Sequence, residues 1–272
     1  CVIISIITSY ELATKAIQNF NFIIPVAINF LEILICSGVL VYIAKKEDPT
    51  INLRQIFLLI GLLLFVQILK INFKTISPLS IIIPPTLIIS QGLGTITALS
   101  WVSISFINWP NYPNEINEYT LLITFISSCI VAILGGKIRS RAQLLQISIL
   151  VPFGAFIFQY FLLGIDSNFA YELNIQNLIS KQGNIISDSF LLAILMLLAI
   201  ILMPILESIF GLVTKARLLE LADQEKPLLR KLSIEAPGTF EHTLLLCGLA
   251  EEATRTIGGN VDLVRTGALY HD

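Results

Sequence analysis

The residues best suited to chemistry in this chain are two histidines and an aspartate close to its C-terminal end. The sequence has two histidines, His242 and His271, and Asp272 directly follows the second. Imidazole nitrogens and carboxylate oxygens are common ligands of divalent cations. Two nitrogens and one oxygen do not fill a coordination sphere, and a single histidine on a helix is more often a hydrogen-bonded core residue than a ligand; the second histidine and the adjacent Asp272 reduce that preference. Residue type and spacing leave both roles open.

Helix signals indicate which elements carry the histidines. The run Pro237-Gly238-Thr239 predicts a helix start with Thr239 as the N-cap, and Gly258-Gly259 predicts its end. The spacing i, i+4, i+7, i+11 predicts one buried face composed of His242, Leu246, Leu249 and Ala253.

A second helix should follow, capped by Asn260 or Asp262. Its predicted inward face consists of Val264, Gly267, Ala268 and His271. Two of these residues are small, which would let another helix approach closely. We therefore expect both imidazoles on the inward faces of consecutive helices.

The composition places these helices beside a membrane domain. Hydrophobic residues make up 55% of the chain and charged residues 13%, and the mean hydropathy is +0.83. A soluble domain carries roughly 25% charged residues, so we predict an all-α, polytopic membrane protein. The sequence contains no nucleic-acid motif, and the net charge of −2 favours no such partner. Five apolar segments are long enough to cross a bilayer: 21–44, 54–73, 120–137, 143–164 and 188–213.

The segment 78–107 decides the topology. Basic residues cluster at 45–54, 137–141 and 215–217, whereas 108–119 has no Lys or Arg. The positive-inside rule places the three basic segments in the cytoplasm. They share that side only if 78–107 crosses twice, with a turn near Gln91-Gly92-Leu93-Gly94. We predict seven spans, with the N-terminus outside and the C-terminus inside; a re-entrant pair is the alternative.

These assignments divide the chain into four parts. Residues 1–20 are interrupted by charged and polar side chains and are interpreted as the end of an extracytoplasmic region. The seven-span domain covers 21–213, and 236–272 begins a further helical domain. Between them, an amphipathic cytoplasmic linker helix over 214–235 continues the last span, and Pro227 should kink or end it. The chain starts at Cys1 and stops within a motif, so we expect a fragment of a longer protein.

Four motifs carry a family resemblance. They are Arg217-Leu218-Leu219-Glu220-Leu221, Pro227-Leu228-Leu229-Arg230, Glu235-Ala236-Pro237-Gly238-Thr239-Phe240-Glu241-His242-Thr243 and Gly267-Ala268-Leu269-Tyr270-His271-Asp272. Together they resemble the bacterial seven-transmembrane HD-domain phosphohydrolases, of which the characterised members hydrolyse cyclic di-AMP. The architecture matches over the whole chain, while the specific motifs occupy about the last 55 residues.

The resemblance implies a membrane-anchored, metal-dependent phosphodiesterase in a bacterial inner membrane. It implies that His242, His271 and Asp272 bind metal, that His271 and Asp272 are catalytic, and that Asp272 bridges two divalent ions, manganese or iron. Further ligands should lie beyond residue 272, so this fragment should be inactive by itself. The implied partners are a cyclic dinucleotide, the lipid bilayer and an extracellular signal. Homo-oligomerisation stays open.

One departure from the family pattern supports an alternative. Where the family commonly has two consecutive histidines, this chain has Glu241-His242. We assign the ligand role to His242 because a hydroxyl residue follows it. If position 241 is the metal-binding position instead, the Glu241 carboxylate replaces an imidazole there, and the phosphodiesterase activity should be impaired. The chain would then be a catalytically inactive HD-domain receptor or scaffold that binds nucleotide. If the chain belongs to an active enzyme, a guanine-based cyclic dinucleotide or an alarmone is a further option for the substrate.

Overall fold

The computed structural model describes residues 23–72, 77–107, 118–169 and 175–271. In these ranges the chain is all-α, without strands, as predicted. The predicted extracytoplasmic region 1–20 and Asp272 lie outside the described residues. The helices are α1 Ile23–Glu47, α2 Leu53–Asn72, α3 Pro78–Leu93, α4 Thr95–Ile107, α5 Glu118–Gly135, α6 Arg141–Phe169, α7 Ile175–Phe210, α8 Lys215–Leu221, α9 Pro227–Glu235, α10 Pro237–Thr256 and α11 Val261–Leu269.

The chain forms two compact units. The first, which we call the apolar unit, extends to Lys137 and continues from Leu144 to Leu212; the second, the charged unit, combines Ile138–Gln143 with the chain from Val213 onward. Helix α3 lies at the centre of the apolar unit, and 14 of its 16 residues are buried. It tolerates Pro84 and Pro85 because its surroundings, chiefly α4, α5 and α7, hold it in place.

The turn predicted within 78–107 is present. Helices α3 and α4 meet at Gly94, whose φ of 94° is accessible to glycine at little cost. A Cβ at Gly94 would lie 3.8 Å from the carboxylate of Glu47, at the end of α1. Thr95 lies against Gly136, just after α5, and Leu212 lies against Gly92. The ends of α1, α3, α5 and α7 therefore meet at one end of the apolar unit.

A further contact belongs to the same end. The Gln55 Nε2 amide, in the first turn of α2, donates a hydrogen bond of 3.1 Å to the carbonyl oxygen of Gly211, which follows α7. Helix α2 thus starts where α7 stops. These contacts require that successive helices from α1 to α4 run in opposite directions.

Two helices of the described residues are long and apolar enough to cross a membrane, Arg141–Leu162 and Asn184–Phe210. Only 28% and 22% of their apolar windows are buried, unlike the core helix of a soluble protein. Shorter apolar helices lie at Leu53–Leu69, Pro78–Leu93, Thr95–Phe106 and Thr120–Gly135. The fold is therefore that of an apolar helical domain, and the count of seven spans stays a prediction.

The linker helix predicted over 214–235 does not continue the last span, while the break predicted at Pro227 is present. Helix α7 ends at Phe210, and the Thr214 hydroxyl starts α8 by accepting a hydrogen bond of 3.2 Å from the Arg217 backbone amide. A turn follows, in which the Glu225 amide donates to the Asp223 carboxylate, and Pro227 then opens α9. A proline is favourable in a first helical turn but disrupts a helix interior, so the linker consists of two short helices.

Candidate metal centre

Helix α10 carries the first histidine. Pro237 occupies its first turn, where the missing amide hydrogen costs nothing. Thr239 lies inside the helix, so the predicted N-cap is wrong: the boundary residue is Ala236, and the fixed φ of Pro237 starts the helix three residues earlier. The predicted stop is present, since Gly258 has a φ of 70° and the Gly259 amide donates to the Thr254 carbonyl.

His271 lies just outside the helix predicted to contain it, two residues beyond the Leu269 end of α11. Asn260 is the N-cap of α11 and accepts a hydrogen bond of 3.1 Å from the Leu263 amide, which settles the choice between Asn260 and Asp262. The short glycine turn sends α11 back along α10. The first turns of α10 consequently lie beside the last turn of α11.

The structure brings the two histidines together. The ring centroids of His242 and His271 are 6.1 Å apart, and the ring planes meet at 55°. Two imidazoles that coordinate one cation have centroids roughly 5 to 6.5 Å apart, because each metal–nitrogen bond is about 2.1 Å. The spacing therefore suits a shared ion.

A hydrogen bond fixes the tautomer of His271. Its Nδ1 lies 2.8 Å from the carbonyl oxygen of Ala268, one turn earlier. A carbonyl can only accept, so Nδ1 carries the proton and the lone pair of the neutral ring is on Nε2. A second nitrogen held in this way is the usual arrangement for a histidine that coordinates a metal.

The predicted buried faces are wrong. His242, Leu249 and Ala253 are exposed, with Leu249 at 71%, and Leu246 is half-buried. In α11, Gly267 is exposed, as is His271 just beyond its end, while Val264 and Ala268 are half-buried. The residues that are buried in these two helices are Thr243, Cys247, Thr254, Thr266 and Leu269.

The reason is the rotation of the helix about its axis, which differs from the prediction by one residue, or about 100°. Neighbouring helical residues point about 100° apart, so a buried Thr243 turns His242 away from the core. The core itself consists of Ala222, Leu229, Cys247 and Leu269. Both imidazoles therefore face outward, on a surface where additional ligands can approach.

Within the described part of the chain, no group of three or more His, Cys, Asp or Glu residues is close enough to hold a metal. His242 and His271 fit a cation as two of its ligands. A stable site needs at least four ligands, so further donors are required. Glu241, the residue in doubt, is exposed in the first turns of α10.

Sequence reasoning missed the residues that hold α11 in place. The Thr266 hydroxyl donates a hydrogen bond of 3.2 Å to the Leu218 carbonyl, and the Tyr270 hydroxyl donates one of 2.9 Å to the Leu221 carbonyl. Both acceptors lie in α8. The only sequence signal was a hydroxyl residue at each position, which does not identify a partner 48 or 49 residues away.

Comparison with known proteins identifies the class. Residues 2–214 match the family described as "7TM receptor with intracellular HD hydrolase". This match covers most of the chain, so the chain belongs to that family. The resemblance inferred from the four motifs is confirmed.

Particular relatives are also similar. The chain is 35% identical to the cyclic-di-AMP phosphodiesterase PgpH of Bacillus subtilis over 57% of its own length and 21% of that protein. It is 46% identical to PgpH of Listeria monocytogenes over 28% of its length and 11% of that protein. It is 55% identical to an uncharacterized protein of Synechocystis over 28% of its length and 9% of that protein. The matches thus span about a fifth of these relatives or less. No solved structure matches the chain.

Proposed function

We propose that this chain is part of a membrane-anchored, metal-dependent phosphodiesterase that hydrolyses cyclic di-AMP to the linear dinucleotide. The observation that carries the proposal is the 6.1 Å approach of the rings of His242, in α10, and His271, just beyond α11. Membership of a family named for an intracellular HD hydrolase supports it. The PgpH relatives, which carry the name of this activity, supply the substrate class.

The proposed architecture has seven spans over 21–213, an outside N-terminus and an inside C-terminus, in a bacterial inner membrane. The contacts of Gly94 with Glu47 and of Gln55 with Gly211 support it, because they bring alternate helix ends to one end of the apolar unit. The grouping of Ile138–Gln143 with the chain after Val213 supports placing both on one side of the bilayer. Lys45, Lys46 and Arg54 at that end of the apolar unit suit the cytoplasmic face.

The proposed site is built from His242, His271 and Asp272. His242 and His271 each give one imidazole nitrogen, and the Ala268 carbonyl holds His271 in the tautomer with its lone pair on Nε2. Asp272 would give a carboxylate ligand. Two imidazoles and one carboxylate do not complete a coordination sphere, so further donors would have to join them.

Two divalent ions bound there, manganese or iron, would supply an activated water and neutralise charge on the phosphoryl oxygens. The histidines hold this centre at an exposed surface of the charged unit, where a dinucleotide can reach it. In-line attack at phosphorus releases the 3′-oxygen and opens the ring once, so the product is the linear dinucleotide. A second hydrolysis is a separate event.

The test uses the full-length protein in detergent with manganese, incubated with cyclic di-AMP and, separately, with cyclic di-GMP. The control is the double variant His271→Ala, Asp272→Ala. We expect linear dinucleotide from the adenine substrate with the wild type, and none with the control. Chromatography of the products distinguishes both substrates from their linear forms.

The opposite result identifies the alternative. If well-folded, metal-loaded protein turns over neither substrate but binds one of them, the chain belongs to a receptor or scaffold, and Glu241→His becomes the variant to test for recovered activity. Turnover of cyclic di-GMP alone would keep the phosphodiesterase and replace the substrate.

A further inference from the structure

Most of the loop between α5 and α6, together with the first three residues of α6, is part of the charged unit as Ile138–Gln143, although α5 and the rest of α6 belong to the apolar unit. Its own bonds give it a defined shape. The Arg139 backbone amide donates a hydrogen bond of 3.1 Å to the side-chain oxygen of Gln143. The Gln143 backbone amide lies 3.3 Å from the Ser140 hydroxyl oxygen. Ile138 is buried, with only 8% of its surface exposed. These bonds fix the backbone around Arg141.

An ion pair joins this loop to α8. Arg141 Nε lies 2.8 Å from Glu220 Oε1, and both side chains are about one-third exposed. The hydrogen bond from Arg141 lowers the pKa of Glu220 below its usual value, against a smaller opposing effect of burial. The carboxylate is therefore ionised at neutral pH. Arg217 lies 3.9 Å from the same carboxylate and adds a weaker attraction.

Helix α8 in turn holds α11. Its Leu218 and Leu221 carbonyls accept the hydrogen bonds of Thr266 and Tyr270. With only seven residues, α8 is too short to be stable without such contacts. Its position therefore depends on the bonds at its two sides, one to Arg141 and the other to α11.

The last turn of α11 places the second histidine. Tyr270, anchored to Leu221, directly precedes His271, whose ring is bonded to Ala268 in the same turn. A second link runs from the loop to the first turn of α11, since Arg139 lies 3.8 Å from Asp262. A shift of α8 or of the loop would move His271 relative to His242, which lies on α10.

We propose that Arg141 and Glu220 are positioning residues, through which the α5–α6 loop sets the separation of His242 and His271 and so the activity of the site. This inference rests on the proposed function. The relay runs from Arg141 through Glu220 and the α8 carbonyls to Thr266, Tyr270 and His271.

The test is a charge reversal in the full-length protein, with Arg141→Glu, Glu220→Arg and the double variant that exchanges the charges. We expect each single variant to lower kcat for cyclic di-AMP about 2- to 30-fold, the range typical of residues that couple two sites. KM should change less than about twofold, because neither side chain touches substrate. The exchanged pair should recover most of kcat, though not all, since Arg217 would repel the new arginine at position 220.

Lys137→Glu is the matched control. Lys137 is exposed in the same loop, and its reversal alters the basic charge that governs topology as much as Arg141→Glu does. We expect it to leave kcat unchanged. Arg141→Lys and Glu220→Gln serve as milder variants where a reversal fails to fold, and they should lower kcat by a smaller factor in the same direction.

Hydrogen–deuterium exchange of residues 261–271 on the same samples separates the two proposals. If the wild type hydrolyses nothing, the proposed function fails, and exchange alone decides the relay. The relay predicts faster exchange in both single variants and recovery in the exchanged pair. It is overturned if the single variants match Lys137→Glu in kcat and in exchange, or if the exchanged pair is as impaired as they are.

Discussion

The two units of this molecule hold their helices together by different means. In the apolar unit a cluster of 19 buried hydrophobic residues joins α1, α2, α3, α4 and their neighbours. Buried hydroxyls there mostly bond the carbonyl one turn earlier in their own helix, as Thr86, Ser105 and Thr124 do. The charged unit has a cluster of four buried hydrophobic residues, and polar bonds join its short helices.

This difference has a mechanical consequence. Burial of apolar surface is non-directional and spread over many contacts, so one change in the apolar unit displaces little. A hydrogen bond or ion pair acts at one point and in one direction, so a change in the charged unit can shift a whole element. The charged unit, which contains the histidines, is therefore the unit in which the loss of one polar bond can shift a helix.

The largest expected effect is the loss of a histidine. His242→Ala should lower kcat for cyclic di-AMP by at least about 100-fold, because losing even a residue that supports a ligand costs 10- to 100-fold. Glu241→Gln, one residue earlier, should cost less than about threefold. Steady-state hydrolysis and manganese content of the full-length protein measure both. Equal losses would show that Glu241 is a ligand and that the residue assignment is wrong.

A backbone contact tests the packing of the apolar unit. A Cβ at Gly135 would lie 2.7 Å from the Ser90 hydroxyl oxygen, which itself donates to the Ala132 carbonyl. Gly135→Ala should therefore destabilise the protein by about 1 to 3 kcal/mol. Gly154→Ala in α6 is the control, since a Cβ there meets nothing within 4 Å, and it should be neutral or slightly stabilising. Thermal unfolding in detergent compares them, and equal midpoints would contradict the close packing.

A matched pair of threonines tests the comparison directly. Thr266 bonds both its own helix and the Leu218 carbonyl of α8, whereas the Thr124 hydroxyl bonds the Thr120 carbonyl in its own helix. Thr266→Val should cost about 1 kcal/mol, a typical net value for one hydrogen bond. Thr124→Val should stay within about 0.5 kcal/mol, because a hydroxyl bonded back to its own helix adds little. Similar unfolding midpoints for the two variants would remove the distinction between the units.

The smallest expected effect is the pH dependence of the Arg141–Glu220 pair. The pKa of Glu220 is lowered from its ordinary value of 4.5, so the pair stabilises the fold fully above that pH. The contribution is lost as the pH falls from 4.5 through the lowered pKa. Because both groups are partly exposed, it is less than about 1 kcal/mol. The unfolding midpoints of the wild type and Glu220→Gln should differ at neutral pH and converge in acid; a constant difference would contradict the ion pair.

Several features were accessible from local patterns. The apolar segments located the helices of the apolar unit, and Gly94 marked the turn that divides 78–107. Gly258 and Asn260 marked the end of α10 and the start of α11. These features depend on residues within one helical turn, or on the length of an apolar run, and sequence contains that information directly.

Other features were not accessible. Helical spacing placed His242 and His271 on buried faces, and the tertiary structure turned both outward, because the core of the charged unit was formed by Cys247, Leu269 and their partners. The linker was predicted to continue the last span and instead starts a new helix at the Thr214 cap, whereas the break at Pro227 was predicted. Arg141 was counted only as a positive charge, and its partner Glu220 lies 79 residues away.

The sequence by itself determined the class of the protein, its apolar and charged parts, and which residues can bind metal, since composition and residue type are local properties. Only the tertiary structure decided that the two histidine rings lie 6.1 Å apart and that the α5–α6 loop joins the charged unit. Both facts depend on which distant segments pack together. That choice follows from the whole set of buried surfaces and polar bonds, and no single stretch of the chain contains it.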